Sequence, residues 1–259
     1  VYLPLEDLHR FNLRLEDMMR ICKASALAVR DVLPHARLEV NFAEISRTQS
    51  YLVRPCDFLA ALDQEGVPYD SIGLQAFENG YSVTSPPTFY RSKTFAGILQ
   101  TIAKYTALGK PLTISALAVP SLPCAAKSPS GFRPPYGAWD EATQALYLDA
   151  AYTLFFARRE VEGITWWCPV DGRLAYIPGG GLLREDLSLK PAYYALRQWM
   201  ARHTSSGFRR TDSEGKVVIR GYAGVYDITV GSGAMGRRFT HKVQAREAHE
   251  RVVVLSYNP

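Results

Sequence analysis

Two adjacent indoles, Trp166 and Trp167, close the segment VEGITWW, and Asp171 and Tyr176 follow within ten residues. An indole can lie flat against the apolar face of a pyranose ring while nearby polar groups take the hydroxyls. Successive side chains of a strand face opposite ways, so one indole of the pair should point into the wall behind any such cleft. Asn41 and Gln75 lie at the ends of two other apolar segments, with Phe77, Glu44 and Glu78 beside them. Asn41, Asp171 and Tyr176 suit loop capping as well as they suit a cleft. Glu44 and Glu78 follow strand ends and could form a carboxylate pair, although acids in surface loops are commonplace.

Other chemistries have little support. Cys22, Cys56, Cys124 and Cys168 show no C-x-x-C spacing, and the five histidines form no H-x-x-x-H pair, so no metal and no cofactor is expected. No G-x-G-x-x-G turn or Walker sequence follows a strand. The run Gly179, Gly180, Gly181 carries no phosphate-loop logic, because no helix N-terminus follows it directly.

The elements that must position these residues alternate. Apolar residues recur at helical spacing over residues 15–31, and a proline stop then leads into a short strand ending near 42. A short helix (55–66) and a strand (69–77) follow, then a helix (94–110) and a strand (111–119), both helices closing on glycine. A helix over 140–158, the strand 161–167 and a last helix over 190–202 with proline just inside its start complete the series. Helices alternating with buried-type strands predict an α/β fold with a parallel sheet, doubly wound or barrel. After about residue 203 the texture changes to period-two alternation, glycine turns and β-branched residues, which predicts an all-β appendage. Its Tyr222 and Tyr226 could stack on a sugar, but tyrosines in short strands more often fill a small core.

At 259 residues, 47% apolar and 21% charged, the chain can bury a full core and is not disordered. The formal charge of +5 comes from basic residues interspersed with nearly as many acids, which argues against a nucleic-acid partner. No apolar run reaches the roughly 20 residues that span a bilayer, so no membrane partner is expected. The chain starts at Val1 with neither a methionine nor a signal peptide, which reads as truncation and leaves the compartment unknown.

Taken in order and spacing, YDSIGLQAF, GKPLTISALAVPS, VEGITWWCPVDG and PGGGLLREDLSLKPAYYAL resemble the C-terminal half of glycoside hydrolase family 10, the retaining endo-β-1,4-xylanases and their relatives. The resemblance implies strands five to eight of a (β/α)8 TIM-type barrel over 1–202, with a small β-sandwich-like module over 203–259. It also implies an active site at the C-terminal ends of the strands. A retaining glycosidase needs two carboxyl groups about 5 Å apart, a nucleophile and an acid/base. In the family the nucleophile glutamate ends the seventh strand; here the matching run is Ile114-Ser115-Ala116, so Ala116 stands at a vacant nucleophile position. The acid/base normally follows an asparagine at the end of the fourth strand; the nearest candidate is Glu6, with Leu5 in the asparagine place, and a solvated surface role suits Glu6 better. Phe77 stands where the family commonly has a sugar-binding histidine, while Gln75 is kept.

The resemblance therefore implies an inactive xylanase-like variant that binds β-linked polysaccharide through Asn41, Gln75, Phe77, Trp166, Trp167, Asp171 and Tyr176. The alternative is a non-enzymatic glycan-recognition or interaction protein whose β module makes the contacts. Four βα units leave two open sheet edges, which predicts a homo-dimer or poor solubility.

Overall fold

A computed structural model describes residues 14–42, 53–78, 94–122, 137–172, 177–222, 224–231 and 236–243. The chain divides into two compact units, Val1–Leu196 and Arg197–Pro259.

In the first unit, helices and strands alternate as α1 (Leu15–Val32), β1 (Glu39–Phe42), α2 (Pro55–Gln64), β2 (Ser71–Phe77), α3 (Phe95–Thr106), β3 (Leu112–Ala118), α4 (Glu141–Phe156) and β4 (Val161–Trp166), followed by α5 (Pro191–His203), which runs past the unit boundary. Local chemistry sets the helix starts. The Asp17 carboxylate accepts the Arg14 backbone N–H at 2.9 Å ahead of α1, Pro55 occupies the first turn of α2, and Thr94 and Asp140 cap α3 and α4 by accepting from Gly97 and Thr143. The N–H of Thr143 holds the Asp140 carboxyl below the usual carboxylate range.

The four strands form one parallel sheet in the order β1-β2-β3-β4. Its two faces differ. Val40, Phe42, Ile72, Leu74, Leu112 and Ile114 are buried, and Phe42 packs edge-on against Phe58 of α2 and lies near Tyr105 of α3. The other face is lined by small polar groups: Thr113 donates to Glu39 at 2.5 Å and Ser115 to Asn41 at 2.9 Å. Gly73 makes this crossing possible, since a Cβ there would stand 2.3 Å from the Glu39 carboxylate and 3.1 Å from Asn41 Cγ.

Asp70 fastens three elements. Its carboxylate accepts the Leu38 N–H at 2.7 Å and the Arg30 guanidinium at 2.6 Å, tying the end of α1 and the start of β1 to the start of β2. The backbone bond from Leu38, helped by Arg30, holds this carboxyl below the usual carboxylate range. A lowered acid stabilises the fold fully above its unfolded value, and that contribution disappears as pH falls through the lower folded value. Asp70→Asn should therefore cost about 1 kcal/mol at neutral pH, allowing for solvent screening of the half-exposed pair, and nothing once both forms are protonated. Urea unfolding of the two proteins at neutral and strongly acid pH checks this; a gap that does not close in acid would show that Asp70 acts otherwise.

In the second unit, β5 (Gly224–Val230) and β6 (Arg237–Val243) form an antiparallel pair, with Asp227 on β5 accepting from Arg238 and Thr240 on β6. His203 stacks on Trp199 with ring centroids 4.0 Å apart and lies tilted against Tyr222 at 5.4 Å. The Tyr226 hydroxyl donates to the Tyr222 carbonyl.

Candidate functional site

The C-terminal ends of the strands gather most of the expected residues. Gln75 is paired in register with Ala116 and Phe77 with Ala118, after an irregularity between Leu74 and Gln75. Ala116 is 1% exposed and shares an apolar cluster with Phe77, Ala118 and Ile177. The methyl group of Ala116 thus faces hydrocarbon. Glu78, one residue past β2, is also wholly buried (0% exposed) instead of standing on a surface loop, and its N–H donates to the Ala118 carbonyl at 3.0 Å.

The two indoles diverge. Trp166 donates its ring N–H to the Gly180 carbonyl at 3.0 Å, which fixes it against the following loop. Trp167 is 44% exposed and meets the Phe77 ring edge to face at 5.6 Å. Its backbone N–H donates to Leu117, so the exposed ring is carried by the sheet. Asn41 accepts from Ser115, on the polar face of the sheet. Glu6, Tyr176 and Glu44 lie outside the described residues.

Asp171 is held in a polar latch behind the strand ends. Lys190 is completely buried (0% exposed) and its ammonium donates to Asp171 at 3.2 Å on both oxygens, to Ser121 at 2.8 Å and to the Gly179 carbonyl at 2.7 Å. Asp171 also accepts the Gly181 N–H at 2.7 Å. The same Gly179 carbonyl accepts from Ser121 and from the Gln144 amide of α4, each at 2.9 Å. Burial pushes the Lys190 ammonium below the usual lysine value, and Asp171 pulls it part of the way back. Close approach explains the glycine run: a Cβ on Gly181 would lie 2.4 Å from the Asp171 backbone nitrogen, and one on Gly179, at φ +62°, 2.4 Å from Ser121 Oγ. Just outside, Arg184 grips Glu141 with two hydrogen bonds of 2.8 and 2.6 Å.

Lys190, Ser121 and Gln144 escaped the sequence reading. The available signal was a lysine directly before the proline that opens α5, a place where a cation is ordinarily solvated. Chemically, the strand ends offer an exposed indole, an edge-on phenyl ring and amides, but Asp171 is engaged by Lys190 and Gly181. Among the described residues, no group of three or more His, Cys, Asp or Glu side chains is placed to hold a metal ion.

No protein-family model and no curated protein matches this sequence. Solved structures do. Native xylanase 10B from Thermotoga maritima superposes with a TM-score of 0.52 at 17% identity, over 72% of this chain and 53% of that one. A thermostable mutant of a xylanase from Cellvibrio japonicus gives 0.54 at 17% identity, over 75% and 56%. Xylanase 10C from Cellvibrio japonicus, in complex with xylopentaose, gives 0.50 at 17% identity, over 69% and 36%. The chain spans about half the length of the first two. The fold of the first unit is accordingly that of a partial (β/α)8 barrel of the xylanase type, joined to a small β unit.

Proposed function

We propose that this chain is a family 10 xylanase relative that binds β-1,4-linked, xylan-type saccharides at the C-terminal ends of its strands without cleaving them. The observation that supports the reading is the burial of Ala116 among Phe77, Ala118 and Ile177: an apolar cluster surrounds the position that the resemblance assigns to the nucleophile. The exposed face of Trp167 supports saccharide contact, since an indole stacks on a pyranose without needing any acid. Gln75 and Asn41 supply amides for hydroxyl groups, and Phe77 steadies the indole from its edge.

The same reading assigns no cleavage to Glu78, because a retaining mechanism requires a second carboxyl about 5 Å away and Asp171 is tied into the latch. Recognition by the β unit is less well supported. The Tyr222 ring, though exposed, already lies against His203, and the Tyr226 hydroxyl is engaged by the Tyr222 carbonyl.

The test is a titration of the whole chain with xylo- and cello-oligosaccharides, followed by tryptophan fluorescence and calorimetry. Trp167→Ala should weaken binding by about tenfold or more, the loss expected for one stacked aromatic anchor, while Tyr222→Ala leaves it unchanged. An aryl β-xylobioside should remain intact with or without azide as an external nucleophile. Turnover by the unmodified chain would overturn the non-hydrolytic reading, and binding lost only with Tyr222 would move the site to the β unit.

A further inference from the structure

Trp166 and Trp167 are neighbours in sequence, yet the first is half-buried and the second exposed. Two hydrogen bonds bracket the peptide between them. The Trp166 ring N–H donates to the Gly180 carbonyl at 3.0 Å, and the Trp167 backbone N–H donates to the Leu117 carbonyl at 2.9 Å. The ladder is irregular just here: the β3–β4 register shifts between Ile114 and Leu117, and Trp166 is the last residue of β4. Successive strand side chains leave on opposite sides, so a bond that pins the Trp166 ring inward also sets the direction in which the Trp167 ring leaves.

The turn that accepts the Trp166 bond reaches Trp167 by a second route. Its backbone is held at several points: the Gly180 N–H donates to the Ile177 carbonyl at 3.0 Å, and the Pro178 carbonyl accepts the N–H groups of Ser121 and Leu122 at 3.1 and 3.3 Å. The Ile177 side chain, 2% exposed, packs in one cluster with Phe77, and the Phe77 ring meets Trp167 at 5.6 Å. Gly180 makes room for this arrangement, since a Cβ there would stand 2.7 Å from Ile177 Cγ2 and 3.1 Å from the Ile177 carbonyl oxygen. One stiff turn therefore grips the inner indole by a carbonyl and backs the outer one through Ile177 and Phe77.

We propose that Trp166 is a positioning residue for the saccharide-facing ring: its bond to Gly180 holds Trp167 in one orientation, and Trp166 touches no sugar itself. The geometry rests on the contacts of the turn, and the consequence for binding rests on the saccharide reading given above. A stacked ring acts through the fit of its flat face, so a ring free to tilt presents that face less often and has to be ordered when the ligand arrives.

The test uses the whole chain labelled with fluorotryptophan, in which the Trp167 signal is the one among four that Trp167→Ala removes. Without any saccharide, Trp166→Phe and Gly180→Ala should each change the fluorine relaxation of Trp167 as its ring gains freedom. Trp139, which packs on Tyr147, and Trp199, which stacks on His203, report in the same spectra that each variant is folded. In calorimetry with xylo-oligosaccharides, Trp166→Phe should weaken binding about fivefold or more. In a Trp167→Ala chain the same change should weaken it no further, because no ring remains to be oriented. Unchanged Trp167 relaxation in Trp166→Phe, or an equal loss of affinity in the two backgrounds, would overturn the proposal; the second would put Trp166 in contact with the sugar. Gly180→Ala leaves every indole in place, so unchanged Trp167 relaxation there refutes the role of the turn even where Trp166→Phe fails to fold. A chain that binds no saccharide while its Trp167 signal responds as expected would remove the saccharide reading and uphold the positioning.

Discussion

Lys190→Met should lower the stability of the barrel unit by about 3–5 kcal/mol, the usual consequence of removing one member of a buried ion pair. The ammonium is fully enclosed and serves Asp171, Ser121 and the Gly179 carbonyl at once. Methionine fills much of the same volume but leaves the Asp171 carboxylate with the Gly181 N–H and no cation. For a unit of this size the change corresponds to a fall in Tm of roughly 10 °C. Removing both charges together, as Lys190→Met with Asp171→Leu, should cost markedly less than Lys190→Met alone, because no unpaired charge remains buried. Thermal melts of the single and double variants decide the matter. Equal losses in the two would mean that the geometry of the loop, and not the charge pair, holds this corner.

Ala116→Glu should be the second most damaging change, and it should not create an enzyme. The side chain enters a cluster of Phe77, Ala118 and Ile177 in which Ala116 is 1% exposed. Overpacking and burial of a carboxyl group together should cost about 3 kcal/mol or more. Desolvation raises the pKa of such a carboxyl above its ordinary value of about 4.3. A raised acid binds protons more readily in the folded state than in the unfolded one, so the deficit should deepen as pH rises from about 4.3 through the folded value. Melting curves at several pH values, run beside the aryl β-xylobioside assay, test both halves. Hydrolysis, or a stability loss independent of pH, would mean that the added carboxylate reaches water and a sugar, and that the site lacks nothing but its nucleophile.

The alternation of helices and strands was legible because each element carries its own period and its own punctuation. The spacing over residues 15–31 corresponds to α1 at Leu15–Val32, and Pro55, Gly66 and Gly109 mark helix ends by backbone geometry alone, the two glycines at φ +64° and +73°. The apolar surroundings of position 116 were legible too, since no acid lies near it in sequence. The latch was not. Ser121 and Lys190 are 69 residues apart, and a lysine that becomes wholly buried has the same local signature as one on the surface. Glu78 was misjudged as a surface acid for the same reason, as burial at a strand end depends on what the rest of the chain lays over it. Asp171 lay between two readings, cleft or turn, and only the position of Lys190 assigns it to the loop. The need for glycine at 181 arises from a neighbouring backbone ten residues earlier, which no local pattern encodes.

The latch and the strand-end cluster share no residue: Lys190, Asp171, Ser121, Gly179 and Gln144 make one, and Phe77, Ala116, Ala118 and Ile177 the other. What closes the rim of this half barrel is therefore separate from what would perform a reaction at its mouth. A chain built in this way can exchange groups at its strand ends for apolar ones and keep its architecture, so shape and reactivity are free to change independently.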